Sequence, residues 1–89
     1  MRGLFTFRYS EEQMKTIEDL GIEITYIPEE TLPAGTSLAG YDFLVCFNPF
    51  ARLDYTDQKL KWIHLVSKGV GHVPKFLQDD PDIIITNNV

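Results

Sequence analysis

The feature of this sequence that most constrains its fold is a well-capped helix placed between two short apolar segments. The apolar segments cover residues 4–7 and 22–27, and each has the length of a strand. Between them, Ser10 is a natural N-cap residue, and Gln13 three residues later completes a capping box. Gly21 supplies the signal that ends a helix. A strand, a capped helix, a glycine and a second strand predict the opening of a parallel α/β unit with a right-handed crossover.

The side chains of this helix are those of a surface helix that packs on a sheet. Glu11 and Glu12 suit the partial positive charge at the amino end of a helix. Met14, Ile17 and Leu20 share one face, which predicts that all three pack against the sheet.

Three further apolar runs are strand candidates, at residues 41–47, 62–66 and 83–85. The first two of these lack clean polar alternation, which is typical of parallel strands that are buried on both faces. The connections between the later strands leave little room for full helices.

One more short helix is predicted to begin near Pro74, because proline suits the first turn of a helix. Phe76 and Leu77 would then face the sheet.

These elements predict a single small α/β domain over residues 1–89, with a flavodoxin-like open parallel sheet of about five strands. In that order the third strand lies beside the first and the second strand lies at one edge. The loops at residues 8–10, 48–50 and 67–73 would then gather at one rim. Ligands of such sheets bind outside the carboxyl ends of the strands, at the point where the strand order reverses.

Charge and cysteine content narrow the range of partners. Eight Lys and Arg against thirteen Asp and Glu give a net charge of −5, and the basic residues form no stripe, so we expect no nucleic-acid partner. Cys46 lies inside an apolar run and is interpreted as a reduced, buried thiol. No apolar run approaches the length of a bilayer span, and the amino terminus lacks a signal-peptide core. We therefore expect a cytoplasmic protein with no membrane partner.

The loop that follows the fourth apolar run is the main candidate for a binding site. Ser67 to His72 contain two glycines, Gly69 and Gly71, in a loop that leads toward a helix, and such loops can expose backbone amides to an anion. Lys68 would add a positive charge there. A flexible turn without a ligand is the alternative reading of the same residues. Arg8, at the end of the first strand, is either a second cation at this rim or a solvated surface residue.

Neither histidine has partners at metal-ligand spacing, so no metal site is expected. His64 is interpreted as a hydrogen-bonded core histidine. His72 either caps the helix near Pro74 or contacts a ligand, and capping is favoured. No Gly-x-Gly-x-x-Gly occurs, so the sequence carries no dinucleotide fingerprint.

Two segments of the chain resemble a known protein family. They are residues 60–74, LKWIHLVSKGVGHVP, and residues 83–87, IIITN. They resemble the amino-terminal part of the D-isomer-specific 2-hydroxyacid dehydrogenases, and the likeness is specific only from about Leu60 onward. In that family this part belongs to the flavodoxin-like substrate-binding, or catalytic, domain, which precedes an NAD-binding domain. The resemblance implies that a small 2-oxo or 2-hydroxy acid is bound through its carboxylate.

The resemblance places that substrate site at Ser67, Lys68, Gly69 and Val70. Two positions depart from the family pattern. Gly71 stands where the family usually has aspartate, and Lys68 stands where a small or apolar residue is usual, so Lys68 would either assist the carboxylate or block the pocket.

The family's NAD(P) fingerprint and its catalytic arginine, glutamate and histidine would lie beyond Val89, so no catalytic or cofactor-binding residue is assigned within this chain. The first hypothesis is therefore a substrate-domain fragment, truncated before the NAD-binding domain and inactive alone. The alternative is a stand-alone small α/β binding or interaction module without catalysis. On the first hypothesis part of an apolar sheet face is left exposed, which would favour self-association.

Overall fold

A computed structural model describes residues 1–88 and contains seven strands and two helices in that range. The strands are β1 Arg2–Phe5, β2 Glu23–Tyr26, β3 Thr36–Ser37, β4 Phe43–Cys46, β5 Leu53–Asp54, β6 Trp62–Leu65 and β7 Ile84–Asn87. The helices are α1 Glu11–Asp19 and α2 Lys75–Gln78, and 3-10 turns cover Glu29–Thr31 and Phe50–Arg52.

Five of the strands form one parallel sheet in the order β2-β1-β4-β6-β7. This is the predicted flavodoxin-like order, with the third long strand beside the first and the second at an edge, so the prediction of an open parallel α/β sheet is confirmed. The remaining strands, β3 and β5, form a separate parallel pair of two residues each. The sequence did not predict this pair, because two-residue strands have no hydrophobic period to detect.

Helix α1 begins as the sequence predicts. The Ser10 side-chain oxygen accepts from the backbone N–H of Gln13 at 3.2 Å, and the Gln13 side-chain oxygen accepts from the backbone N–H of Ser10 at the same distance. Gly21 has a φ of +85°, which is a backbone conformation that glycine adopts without strain. Met14 is buried, but Leu20 is 74% exposed, so its predicted packing is wrong. The helix ends at Asp19, and Leu20 is the C-cap residue beyond the packed face.

The two faces of the sheet are covered to different extents. On one face the connecting segments supply a broad layer of buried side chains, which include Leu32, Leu38, Leu53, Val73 and Leu77. Helix α1 supplies the layer on the other face, where Met14 packs with Phe5, Phe43 and Val45. The Phe43 ring lies so close to Gly3 that a Cβ atom there would collide with it.

Strand β4 is buried along its whole length, as predicted, but the same prediction for β6 is wrong. Trp62 is 37% exposed and His64 is half-buried, because α1 packs over β1 and β4 and leaves this side of β6 open. The prediction for α2 is correct at Leu77, which is fully buried, and wrong at Phe76, which is exposed and packs edge-on against Tyr55.

Candidate functional site

The carboxyl ends of the parallel strands meet at one edge of the sheet, where the predicted rim loops are connected by hydrogen bonds. His72, in the loop after β6, contacts the backbone carbonyl of Phe47, just after β4, with its Nε2 atom at 2.7 Å. A carbonyl oxygen accepts only, so Nε2 carries the proton and donates. The imidazole also stacks on the Phe47 ring, with 6.1 Å between centroids. The predicted role of His72 as a helix cap is therefore wrong, since it joins two rim loops instead.

In the loop after β6, the four residues predicted to bind substrate, Ser67 to Val70, all have their backbone carbonyls held by other groups. The Ser67 carbonyl accepts from the backbone N–H of Asn88 at 3.1 Å, and the Lys68 carbonyl accepts from Nδ2 of Asn87. The Gly69 carbonyl accepts from the Ser67 hydroxyl at 3.1 Å.

The Val70 carbonyl, at the end of this loop, accepts from the backbone N–H of Val73 at 3.1 Å. Nε2 of Gln78 lies 3.4 Å from the same carbonyl and donates to the Val73 carbonyl at 2.8 Å. The loop is thus fixed through its carbonyl groups.

Fixing the carbonyls determines where the amides of this loop point. No peptide bond among residues 1–88 is cis, and in a trans peptide the N–H of one residue points away from the C=O of the residue before it. Each N–H group of Lys68, Gly69 and Val70 therefore points away from the donor that holds the carbonyl of the residue before it. Within residues 1–88 these three amides donate to no protein acceptor, and all three residues are exposed. Three consecutive exposed amides without a protein acceptor are candidate donors to an anion such as a carboxylate.

The two candidate cations lie in different places. Lys68 is part of the loop itself and is exposed. The Arg8 guanidinium lies over the ring of Tyr26, 5.5 Å from its centroid, at the end of the edge strand β2. Strand β2 is separated from β6 by β1 and β4. Arg8 is therefore not brought to the Ser67–Val70 loop, and of these two candidate cations it is Lys68 that lies there.

Glu29 is a rim residue that the sequence analysis missed. It follows β2 in the first 3-10 turn, and its carboxylate accepts hydrogen bonds from the ends of two other strands. The backbone N–H of Phe47 donates to Oε2 at 2.6 Å and that of Asn48 donates to Oε1 at 2.9 Å. The Thr6 hydroxyl donates to Oε2 at 2.6 Å. Its position in the segment after a strand, three residues beyond Tyr26, was the available signal.

Cys46 is fully buried next to this carboxylate, as the sequence predicted for a structural thiol. Burial raises the pKa of the Cys46 thiol well above its ordinary value, and the negative charge of Glu29 raises it further. Burial also raises the pKa of Tyr55 to about 12, with a smaller contribution from Cys46. A neutral buried thiol is a poor nucleophile, so Cys46 has a packing role.

A groove of about 300 Å³ opens beside α1 on the less covered face of the sheet. It is lined by Phe5, Tyr9, Ile17, Ile22, Phe43, Val45, Trp62 and His64. His64 was predicted to be a hydrogen-bonded core residue. It is hydrogen-bonded, with Nδ1 2.7 Å from the Thr86 hydroxyl oxygen. The same oxygen accepts from Nε1 of Trp62 at 2.8 Å. His64 lies at the open groove, however, rather than in the closed core.

The part of the chain that the structure describes contains no cluster of three or more metal-ligating side chains. Among the same residues, no helix has the length and apolar character needed to cross a membrane.

Comparisons of the chain with protein-family models, with curated proteins and with solved structures find no match.

Proposed function

We propose that this chain is the amino-terminal substrate-binding part of a cytoplasmic, NAD(P)-dependent D-2-hydroxyacid dehydrogenase. Its Ser67–Val70 loop binds the carboxylate of a small 2-oxo or 2-hydroxy acid. One observation carries the proposal: three consecutive exposed amides, at Lys68, Gly69 and Val70, that donate to no acceptor within residues 1–88. This loop is where the family resemblance places the substrate carboxylate.

The residues around the loop support carboxylate binding by positioning it. Asn87 holds the Lys68 carbonyl, and Gln78 approaches the Val70 carbonyl, so both ends of the amide run are fixed before a ligand arrives. A loop that is already ordered loses less conformational entropy when it binds. The Ser67 hydroxyl is occupied by the Gly69 carbonyl, so Ser67 acts as a positioning residue and the next three amides act as donors.

Lys68 supplies the only full positive charge on the loop, and its ammonium group would face the same anion as the amides. Charge-assisted hydrogen bonds to a carboxylate are stronger than neutral ones. None of the residues Ser67 to Val70 is acidic, so the loop is a local exception to the net charge of −5.

The residues of this chain do not fit NAD(P). The dinucleotide fingerprint needs three spaced glycines that open a helix, whereas the segment between β6 and α2 has only Gly69 and Gly71. The helix that follows, α2, has only four residues. Under the proposal the nicotinamide cofactor, the hydride transfer and the acid-base residues belong to another domain. The role of this chain is to bind and orient the substrate carboxylate.

The proposal is tested by measuring oxalate and pyruvate binding to two matched variants of one residue. Gly69→Pro removes a donor amide, whereas Gly69→Ala keeps the amide and places its methyl group in open space. We expect the wild-type chain and Gly69→Ala to bind oxalate with a Kd of about 1 mM. Gly69→Pro should bind about tenfold more weakly, since one charge-assisted hydrogen bond is lost. Equal binding by the two variants, or no binding by the wild type at about 20 mM oxalate, would reject the proposed site.

The gene distinguishes the enzyme from the alternative of a stand-alone module. A reading frame that continues past Val89 into Gly-x-Gly-x-x-Gly, followed by spaced Arg, Glu and His codons, supports the dehydrogenase. A stop codon directly after Val89 supports a binding module that uses the same loop.

Self-association through the less covered sheet face is also part of the proposal. Ile84 is 66% exposed beside Trp62, so these two side chains form an exposed apolar patch where β6 and β7 begin. We expect light scattering to show species larger than a monomer at high concentration, and Ile84→Lys to restore the monomer. A wild-type chain that stays monomeric would contradict this expectation.

A further inference from the structure

The Glu29 carboxylate is held in a way that resembles a bound ligand more than a surface side chain. Its two oxygens accept three hydrogen bonds, from the backbone N–H groups of Phe47 and Asn48 and from the hydroxyl of Thr6. Two of the three distances are 2.6 Å, in the short range of charge-assisted hydrogen bonds. The donors come from segments that follow β1 and β4, whereas the carboxylate comes from the segment that follows β2.

Among the residues that the structure describes, no positive side chain is paired with this carboxylate. Within residues 1–88 the ion pairs join Arg2 to Glu23 and Lys75 to Asp79, and none involves Glu29. The nearby Arg52 guanidinium donates instead to backbone carbonyls, those of Glu29 itself at 3.4 Å and of Leu32 at 3.1 Å. The charge is therefore held by two consecutive amides and one hydroxyl, which is how backbone anion sites hold their ligands.

The position of the three donors is that of a ligand site. Strand β1 lies between β2 and β4, so the crevice between β1 and β4 is the point where the strand order reverses. Open parallel sheets bind ligands there. Thr6 is only 4% exposed in the intact chain, where Glu29 is the acceptor of its hydroxyl. Removing the Glu29 side chain would take away the protein acceptor of all three donors and leave them to water or to another anion.

We propose that the switch point of this sheet is a carboxylate-binding site whose ligand is the chain's own Glu29 side chain. In the native chain Glu29 excludes external anions from the crevice between β1 and β4. When the side chain is removed, the same three donors bind a small free carboxylate such as acetate or formate. This inference goes beyond the proposed function, because it concerns a different set of amides and holds whether or not the Ser67–Val70 loop binds substrate.

The test is chemical rescue of Glu29→Ala, with Glu30→Ala as the matched control, because Glu30 is the exposed neighbour in the same turn. Melting temperatures are measured at neutral pH in sodium acetate and in sodium chloride of equal ionic strength. In chloride, Glu29→Ala should melt about 10–20 °C below the wild type, because it removes the acceptor of all three hydrogen bonds. In about 0.5 M acetate it should recover several degrees, because a ligand that binds only the folded state stabilises it. The wild type and Glu30→Ala should melt alike in the two salts.

Amide resonances provide the second readout, one that a general salt effect would not move in this pattern. In Glu29→Ala, acetate should shift the amide signals of Phe47 and Asn48 with one common saturation curve. In the wild type, the same two signals should stay in place over the same range.

Three outcomes would overturn the inference. The first is a Glu29→Ala variant that melts like the wild type in chloride. The second is a destabilised variant that acetate stabilises no more than chloride does, with the Phe47 and Asn48 signals unmoved. If Glu29→Ala is unfolded in chloride, refolding in acetate supports the site, and failure to refold in acetate is the third contradicting outcome.

Discussion

Two sets of consecutive amides lie at the same edge of the sheet, and they differ in what they hold. The turn after β4 directs the amides of Phe47 and Asn48 at the carboxylate of Glu29. The loop after β6 exposes the amides of Lys68, Gly69 and Val70, which contact no acceptor in residues 1–88. The filled turn contains no glycine, and the unfilled loop contains two. Glycine content therefore does not explain the difference between the two sets. Within residues 1–88, the chain supplies a carboxylate to one set of amides and none to the other.

The largest expected effect comes from removing the hydrogen bond between the Thr6 hydroxyl and the Glu29 carboxylate. Thr6→Val replaces the buried hydroxyl by a methyl group of similar size and removes one donor to Glu29. We expect a loss of about 1.5–3 kcal/mol in the free energy of unfolding, measured by urea denaturation. Oxalate binding at the Ser67–Val70 loop should not change, which would separate the two sites.

The matched control for this change is Thr16→Val. The Thr16 hydroxyl donates to the Glu12 carbonyl on the exposed side of α1, so the same substitution there should change stability by only about 0.5 kcal/mol. A Thr6→Val variant as stable as the control would show that the hydroxyl contributes nothing to holding Glu29.

An intermediate effect is expected on the pH dependence of stability, through Cys46 beside the Glu29 carboxylate. The folded state keeps the Cys46 thiol protonated at pH values where the unfolded chain, with an ordinary pKa of 9.0, is already ionised. The unfolded state then binds fewer protons, so stability is complete below about pH 9 and decreases as pH rises above it. One such group contributes a slope of up to about 1.4 kcal/mol per pH unit. Tyr55, whose pKa is raised from 10.0 to about 12, adds to the loss above about pH 10.

Cys46→Ala removes the thiol and tests this account of the slope. The variant should be less stable at neutral pH, because a buried side chain is shortened, but its stability should fall less steeply between about pH 9 and 10. Urea denaturation at a series of pH values measures both quantities. An unchanged slope would mean that Cys46 does not titrate as described.

The smallest expected effect is on oxalate binding by the Ser67–Val70 loop, when Lys68 is replaced. Lys68→Met should weaken oxalate binding about two- to fivefold, since an exposed charge pair contributes up to about 1 kcal/mol, and the difference should shrink as salt is added. Lys75→Met is the control, because the Lys75 ammonium is already paired with Asp79, 3.3 Å away at the end of α2. Tighter binding by Lys68→Met would instead mean that the lysine blocks the pocket.

Local sequence signals predicted the parts of this fold that depend on neighbouring residues. The capping box of Ser10 and Gln13 and the turn at Gly21 could be read directly, because each involves residues close together in the chain. The strand order followed from the pattern of apolar runs and the rules for parallel sheets. The exposure of Trp62 and His64 was missed, because it depends on how far α1 extends across the sheet.

Contacts between distant residues could not be predicted in the same way. The Glu29 carboxylate reaches amides 18 and 19 residues away, and Asn87 reaches a carbonyl 19 residues away. The expected rim contained the loops after the first, third and fourth long strands, and the segment after the edge strand β2 was left out. That segment carries Glu29, which is why the filled site was not anticipated.

A titration of the wild-type chain with oxalate, followed by amide NMR, tests the contrast between the two sites most directly. The signals of Lys68, Gly69 and Val70 should shift together with a Kd of about 1 mM, while those of Phe47 and Asn48 stay in place because Glu29 occupies their donors. Loop signals that do not move, or Phe47 and Asn48 signals that move with oxalate, would contradict the account.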